Sequence, residues 1–312
     1  MGNSSSELIE DRMQGCLLGL ACGDAVGTTV EFRPRGTFPD VTDMVGGGPF
    51  QLEPGQWTDD TSMALCLATS LIECSGFDPV DQIRRYVRWY REGYLSSTGE
   101  CFDIGNTTAS ALCRFMDDGN PFAGPTSPTS AGNGSIMRLA PVPMFFFPDK
   151  AKIVHFSGES SRTTHGAAEC VEACRLFGLL LANALEGKDK EAVLYGHGFE
   201  PGSNTTPTIR QIAEGQYRDK SRDELSGSGY VVESLEAALW CFLATDNFRD
   251  AVLAAVNLGD DADTTAAVCG QVAGAFYGRS GIPAEWLDRL CMREEIEQLA
   301  ERLYRPAAGA VG

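Results

Sequence analysis

The sequence predicts an all-α protein, and three observations carry that expectation. Where the chain is apolar, its apolar residues recur at helical spacing; alternating strand patterns are nearly absent; and glycines repeat at every fourth position in two separate stretches. The first stretch, residues 7–27, sets Gly15, Gly19, Gly23 and Gly27 among Leu17, Leu18, Leu20 and Val26, as a buried helix with close neighbours would. Residues 58–72 form the second expected helix, with Thr58 as N-cap and Met63, Leu67, Leu71 and Ile72 on one stripe. Helical spacing continues over residues 79–92, 107–116, 167–185, 231–244 and 248–256. The last expected helix, residues 264–277, again spaces glycines by four, at Gly270, Gly274 and Gly278.

Three long connections, residues 32–56, 117–135 and 200–229, hold most of the proline and much of the glycine. Loops of that length inside a compact protein are disordered or functional. No linker composition, internal repeat or low-complexity tract divides the chain. The expected organisation is one domain over residues 8–306 between short tails, 1–7 and 307–312.

The composition excludes several classes. With 43 acidic against 25 basic side chains, the 312-residue chain carries a formal charge of −18, which repels phosphate backbones and argues against non-specific nucleic-acid binding. No apolar run reaches the roughly 18–20 residues of a membrane span, and the first residues lack the apolar core of a signal peptide. Gly2 and Ser6 fit a myristoylation pattern, yet no polybasic patch follows to support an acyl anchor, and a solvated tail is the simpler reading. The 11 cysteines show no metal-like spacing and read as small buried hydrophobes in a reducing cytoplasm. A monomer is the simplest oligomeric state. An anionic ligand would need a locally positive pocket.

Chemistry concentrates in two acidic helix heads. Thr58-Asp59-Asp60-Thr61 alone reads as an N-cap with carboxylates on the helix dipole. A second head, Asp260-Asp261-Ala262-Asp263-Thr264-Thr265, changes the weighing, because the two could face each other. Together they would crowd at least four carboxylates with hydroxyls and no His or Cys. Two oxygen-seeking ions, Mg²⁺, Mn²⁺ or Ca²⁺, would neutralise such a cluster. An EF-hand starting at Asp261 fails, since its sixth position is Ala266 and its twelfth Val272. Asp261-x-Asp263-x-Thr265 also fits an aspartyl-phosphate motif in letters, but it lies near the end of the chain and follows no buried strand. The Gly132-Asn133-Gly134-Ser135 turn could offer backbone N–H groups to an anion, or be an ordinary tight turn.

These segments resemble the ADP-ribosylglycohydrolases related to the dinitrogenase-reductase-activating glycohydrolase. The resemblance runs through Gly-Asp-Ala-Val-Gly-Thr-Thr-Val-Glu at 23–31, Gln-Trp-Thr-Asp-Asp-Thr at 56–61 and Phe-Asp-Ile-Gly-Asn-Thr-Thr at 102–108. It continues through Gly-Asn-Gly-Ser-Ile-Met-Arg at 132–138, Thr-His at 164–165, Gly-Tyr-Val-Val-Glu at 229–233 and Asp-Ala-Asp-Thr-Thr at 261–265. It implies a compact orthogonal helical bundle around two Mg²⁺ or Mn²⁺ ions, and metal-dependent release of ADP-ribose from a modified protein. Arginine is the expected linkage; a serine or nucleic-acid linkage, a non-catalytic ADP-ribose binder and a two-metal phosphoesterase stay open.

By that resemblance, Thr58, Asp59, Asp60, Asp261, Asp263 and Thr264 hold metal, and Glu31, Asp60 and Asp261 carry catalysis. Gly105, Asn133, Gly134, Ser135 and His165 fall near the substrate, and Tyr230 is a candidate to stack on adenine. Asp103 is expected either to pair with the guanidinium of a modified arginine or to bond its own loop backbone. At position 260 the family commonly has Gly where this chain has Asp, a side chain expected to face solvent.

Overall fold

The computed structural model describes residues 5–195, 198–202 and 205–304, so the tails beyond them and Gly2 lie outside what is described. Among the described residues, fourteen helices form the fold. They are α1 Ser5–Gly27, α2 Asp59–Glu73, α3 Pro79–Glu92, α4 Asn106–Asp118, α5 Pro141–Phe146, α6 Lys150–Arg162 and α7 Ala168–Leu185. The second half contributes α8 Lys190–Leu194, α9 Pro207–Ala213, α10 Val231–Leu243, α11 Phe248–Val256, α12 Ala262–Tyr277, α13 Ala284–Arg289 and α14 Arg293–Tyr304. Two residues of β1, Arg33–Pro34, pair antiparallel with β2, Gly259–Asp260, which ties the loop after α1 to the entrance of α12. No described helix is long and apolar enough to cross a membrane. The all-α expectation is met.

The glycine spacing is explained by one helix crossing. A Cβ added at Gly15 would lie 2.3 Å from the Gly274 carbonyl oxygen, at Gly19 2.3 Å from that of Gly270, and at Gly23 2.1 Å from that of Ala266. At Gly27 it would lie 2.4 Å from the Cα of Asp263. Thus α1 and α12 run antiparallel in backbone contact, and the C-terminal end of α1 is delivered onto the head of α12. Gly23→Ala should therefore cost about 3 kcal/mol or more, since both backbones are fixed and cannot give way. A thermal melt at or near wild-type stability would contradict this close approach.

Three expectations are corrected. Helix α1 already runs from Ser5, ahead of its expected start at residue 7, with Glu7 favourably placed in its first turn. The 200–229 connection contains α9, capped by Thr206, whose hydroxyl accepts from the Ile209 N–H, and opened by Pro207 at the first helical position. Seven cysteines are buried, but Cys74 and Cys113 are exposed and Cys101 and Cys291 half-buried; all eleven are free thiols.

Candidate metal centre and ligand cavity

The chemistry collects where the end of α1 meets the heads of α2 and α12. Asp24, on α1, is fully buried and accepts from the Thr58 N–H (2.9 Å), the Thr61 N–H (3.0 Å) and both threonine hydroxyls (2.9 and 2.6 Å). Thr58 does occupy the N-cap of α2, but its side chain does not cap. Asp24 does so from the neighbouring helix. That frees the Thr58 hydroxyl to face the site, 3.1 Å from Asp60 Oδ2 and 3.2 Å from Asp263 Oδ2. Thr264 Oγ1 reaches Asp60 Oδ2 from the other head at 3.3 Å. The two heads do face each other.

Among the described residues, two groups of three carboxylates each bring one oxygen per residue within 4.8 Å of the others: Asp24, Asp60 and Asp263, and Glu31, Asp103 and Asp263. Asp263 belongs to both. Burial, reinforced by neighbouring carboxylates, pushes the carboxyls of Asp59, Asp60 and Asp263 well above the ordinary range. It also lifts Asp24 to about 6, against its four hydrogen bonds, and Asp103 to about 7. Glu31, 3% exposed, is pushed up to about 10 by burial and by Asp103, Asp261 and Asp60. Asp261 is raised by burial although Asn133 donates to its Oδ2 at 2.8 Å.

This cluster fits a divalent metal centre on its own chemistry. Asp60 Oδ1, Asp263 Oδ1 and Glu31 Oε2 are buried with no hydrogen-bond partner, and orphaned carboxylate oxygens are costly. All candidate donors are oxygen, as hard cations require. Asp24 spends both its oxygens on the α2 head, which makes it an orienting residue behind Thr58. Its signal in the sequence is an Asp inside an otherwise apolar, glycine-spaced helix.

Above the cluster opens a cavity of about 780 Å³. Glu31, Asp59, Asp103, Asp261 and Thr264 line it, together with Gly105, Asn133, Gly134 and His165. The α4 head, Gly105 to Thr108, also lines it, and no side chain caps that helix N-terminus. Phe32 stands at the mouth, 64% exposed and at φ +62°, a conformation that bulky residues seldom adopt. Its ring packs against Phe50, which packs in turn on Phe102.

Most sequence-predicted residues converge here; two stand behind the wall. Ser135 is buried, its hydroxyl engaged by Ser161 (3.0 Å) and Cys174 (3.4 Å). Tyr230 does not line the cavity: its hydroxyl donates to Glu169 at 2.7 Å. Its backbone segment instead pins the glycine turn, through Asn133 N–H to the Gly229 carbonyl and Val231 N–H to that of Ala131, each 3.0 Å. The Tyr230 ring is half-buried, held at its hydroxyl end by Glu169. Asp103, at φ +57°, turns its carboxyl towards Glu31 rather than its own loop backbone. Asp260 is exposed, and it also lines the cavity.

Comparison with known proteins agrees with this geometry. The chain is 48% identical over 295 residues to the ADP-ribosylarginine hydrolase Tri1 of Serratia proteamaculans, spanning 94% of this chain and 79% of that protein. It is 33% identical to the ADP-ribosyl-[dinitrogen reductase] glycohydrolase of Rhodospirillum rubrum, over 93% of each chain. A solved structure described as an ADP-ribosylglycohydrolase-related protein complex superposes with a TM-score of 0.86 at 45% identity, covering 96% of this chain and 99% of that one. A profile of the ADP-ribosylglycohydrolase family matches residues 5–310, and the chain belongs to that family.

Proposed function

We propose that this glycohydrolase releases ADP-ribose from modified arginine on protein, in the cytoplasm, using two Mg²⁺ or Mn²⁺ ions. The observation that carries the metal part is the pair of carboxylate triplets sharing Asp263 above orphaned buried oxygens. The arginine part is supported by the names of the relatives at 48% identity and by an acidic cavity wall suited to a guanidinium.

Thr58, Asp59, Asp60, Asp261, Asp263 and Thr264 would hold the ions, with Glu31 and Asp103 close enough to share them. Divalent ions bound there would supply charge neutralisation and Lewis acidity. The chain's own residues do the rest. Asn133 fixes Asp261 by its 2.8 Å bond, and Asp24 fixes Thr58. The α4 head and the glycine turn receive the anionic part of the ligand. Glu31, buried and proton-holding, is placed to deliver or take the proton at the scissile bond. The carboxylate-rich wall favours the positive charge that develops on the sugar when a glycosidic bond breaks.

Asp103→Ala tests the linkage. If its carboxylate meets a guanidinium, kcat/KM on ADP-ribosylarginine should fall tens-fold, from a charge-assisted contact of about 2–3 kcal/mol, and much less on ADP-ribosylserine. Metal affinity is measured alongside, because Asp103 lies within reach of Glu31 and Asp263. Equal losses on both substrates with weakened metal binding would make Asp103 a ligand and remove its support for arginine.

A further inference from the structure

Beneath the glycine turn lies a buried cation that the acidic cluster does not use. Arg138 is fully buried, and among the described residues no carboxylate pairs with it. Its guanidinium lies over the Tyr86 ring at 4.6 Å, and Nε has no partner. One Nη1 bond goes to the Gly134 carbonyl oxygen at 2.7 Å, and Nη2 donates to Thr164 Oγ1 at 2.7 Å. A charge held this way is expensive unless something exploits it.

Arginine donates and cannot accept, so Thr164 Oγ1 is an acceptor towards Arg138. The threonine proton is then free for His165 Nδ1, 2.9 Å away. With Nδ1 accepting, the ring proton of a neutral imidazole sits on Nε2. The ring is neutral because burial and the Arg138 charge push its pKa down to about 3. The Nε2 edge faces the bare glycines of the cavity wall: a Cβ at Gly132 would lie 3.5 Å from Nε2, and one at Gly134 2.8 Å from Cε1.

We propose that Arg138 and Thr164 are positioning residues that lock His165 in its Nε2–H tautomer, giving the cavity a neutral donor backed by a buried positive charge, for an anionic group such as a nucleotide diphosphate. The diphosphate identity rests on the ADP-ribose reading above; the tautomer does not. This arrangement supplies the locally positive wall that a chain of charge −18 needs. It also explains why Gly134 is bare, since any side chain there would displace the imidazole.

Long-range ¹H–¹⁵N NMR on histidine-labelled, ligand-free protein reads the tautomer directly, with His165→Asn assigning its signal among the three histidines. In wild type, Nε2 should be protonated and Nδ1 not. Thr164→Val, matched in size but without the hydroxyl, should reduce the Nε2–H population and weaken calorimetric ADP-ribose binding about tenfold, while Thr164→Ser restores both. A wild-type proton on Nδ1 overturns the proposal without any variant having to fold, and so does a folded Val variant with wild-type affinity. A wild-type Nε2–H ring in a protein that binds no ADP-ribose would instead overturn the nucleotide reading and leave the tautomer lock standing.

Discussion

Asp60→Asn should reduce hydrolysis of ADP-ribosylarginine by at least about 10³-fold, the rate equivalent of the several kcal/mol that metal-assisted charge stabilisation supplies. Asp60 is fully buried between both helix heads, with Oδ2 facing the hydroxyls of Thr58 and Thr264 and Oδ1 unpartnered. Asparagine keeps the shape and deletes a charge. In the metal-free protein that charge is a burden, because burial and the carboxylates of Asp24, Asp261 and Asp103 raise its pKa far above normal. The metal-free variant should therefore melt no lower than metal-free wild type, while losing most of the stabilisation that Mn²⁺ confers. An inactive variant that has simply unfolded would contradict this, as would one retaining activity within tenfold.

Metal itself should shift stability strongly, and the shift should grow with pH. At free ion one hundred times its Kd, linkage adds about 2.7 kcal/mol, or about 5 °C in Tm for a domain of this size. The sign of the pH dependence follows from raised carboxyl pKa values. In the folded, metal-free protein these groups bind protons that the unfolded chain has lost, so stability is full below about pH 4. It drains as pH climbs through about 6 for Asp24 and about 7 for Asp103, and on towards 10 for Glu31. Chelator-treated protein should thus melt progressively lower between pH 5 and 8, and Mg²⁺ or Mn²⁺ should restore most of the loss. Melting curves that rise with pH in chelator would contradict the crowded-carboxylate account.

The parts of the fold legible from sequence are those whose buried faces are apolar or glycine-spaced. The crossing of α1 on α12 is written in Gly15, Gly19, Gly23 and Gly27 against Gly270 and Gly274, and it alone brings Asp24 and Asp263 together. Helix α6 escaped that kind of reading for a physical reason. Apart from Ile153 its buried residues are Ser157, Gly158, Ser160 and Ser161, so its buried face carries almost no hydrophobic periodicity. Helix α14 is the opposite case, with Ile296, Leu299, Ala300 and Leu303 on one ordinary stripe, beyond the last expected helix, which ends at residue 277.

The site divides the same way. Two acidic heads announce themselves by composition, and their convergence follows from the helix crossing. Asp24, Arg138 and Thr164 stand within the quoted motifs, but their roles do not follow from them, because those roles lie in partners 26 to 37 positions away, at Thr58, Thr61 and Thr164. The bracing of the glycine turn is hidden for the same reason: it comes from backbone bonds of Gly229 and Val231, about 100 positions from Asn133 and Ala131.

The most direct test is mass spectrometry of the products formed from a protein carrying ADP-ribosylarginine, with Mg²⁺, with Mn²⁺ and with excess chelator. The account predicts intact ADP-ribose and regenerated, unmodified arginine in the presence of either ion, with the reaction abolished by chelator and restored on adding the ion back. Release of AMP with a ribose phosphate left on the arginine, or equal turnover in chelator, would contradict it.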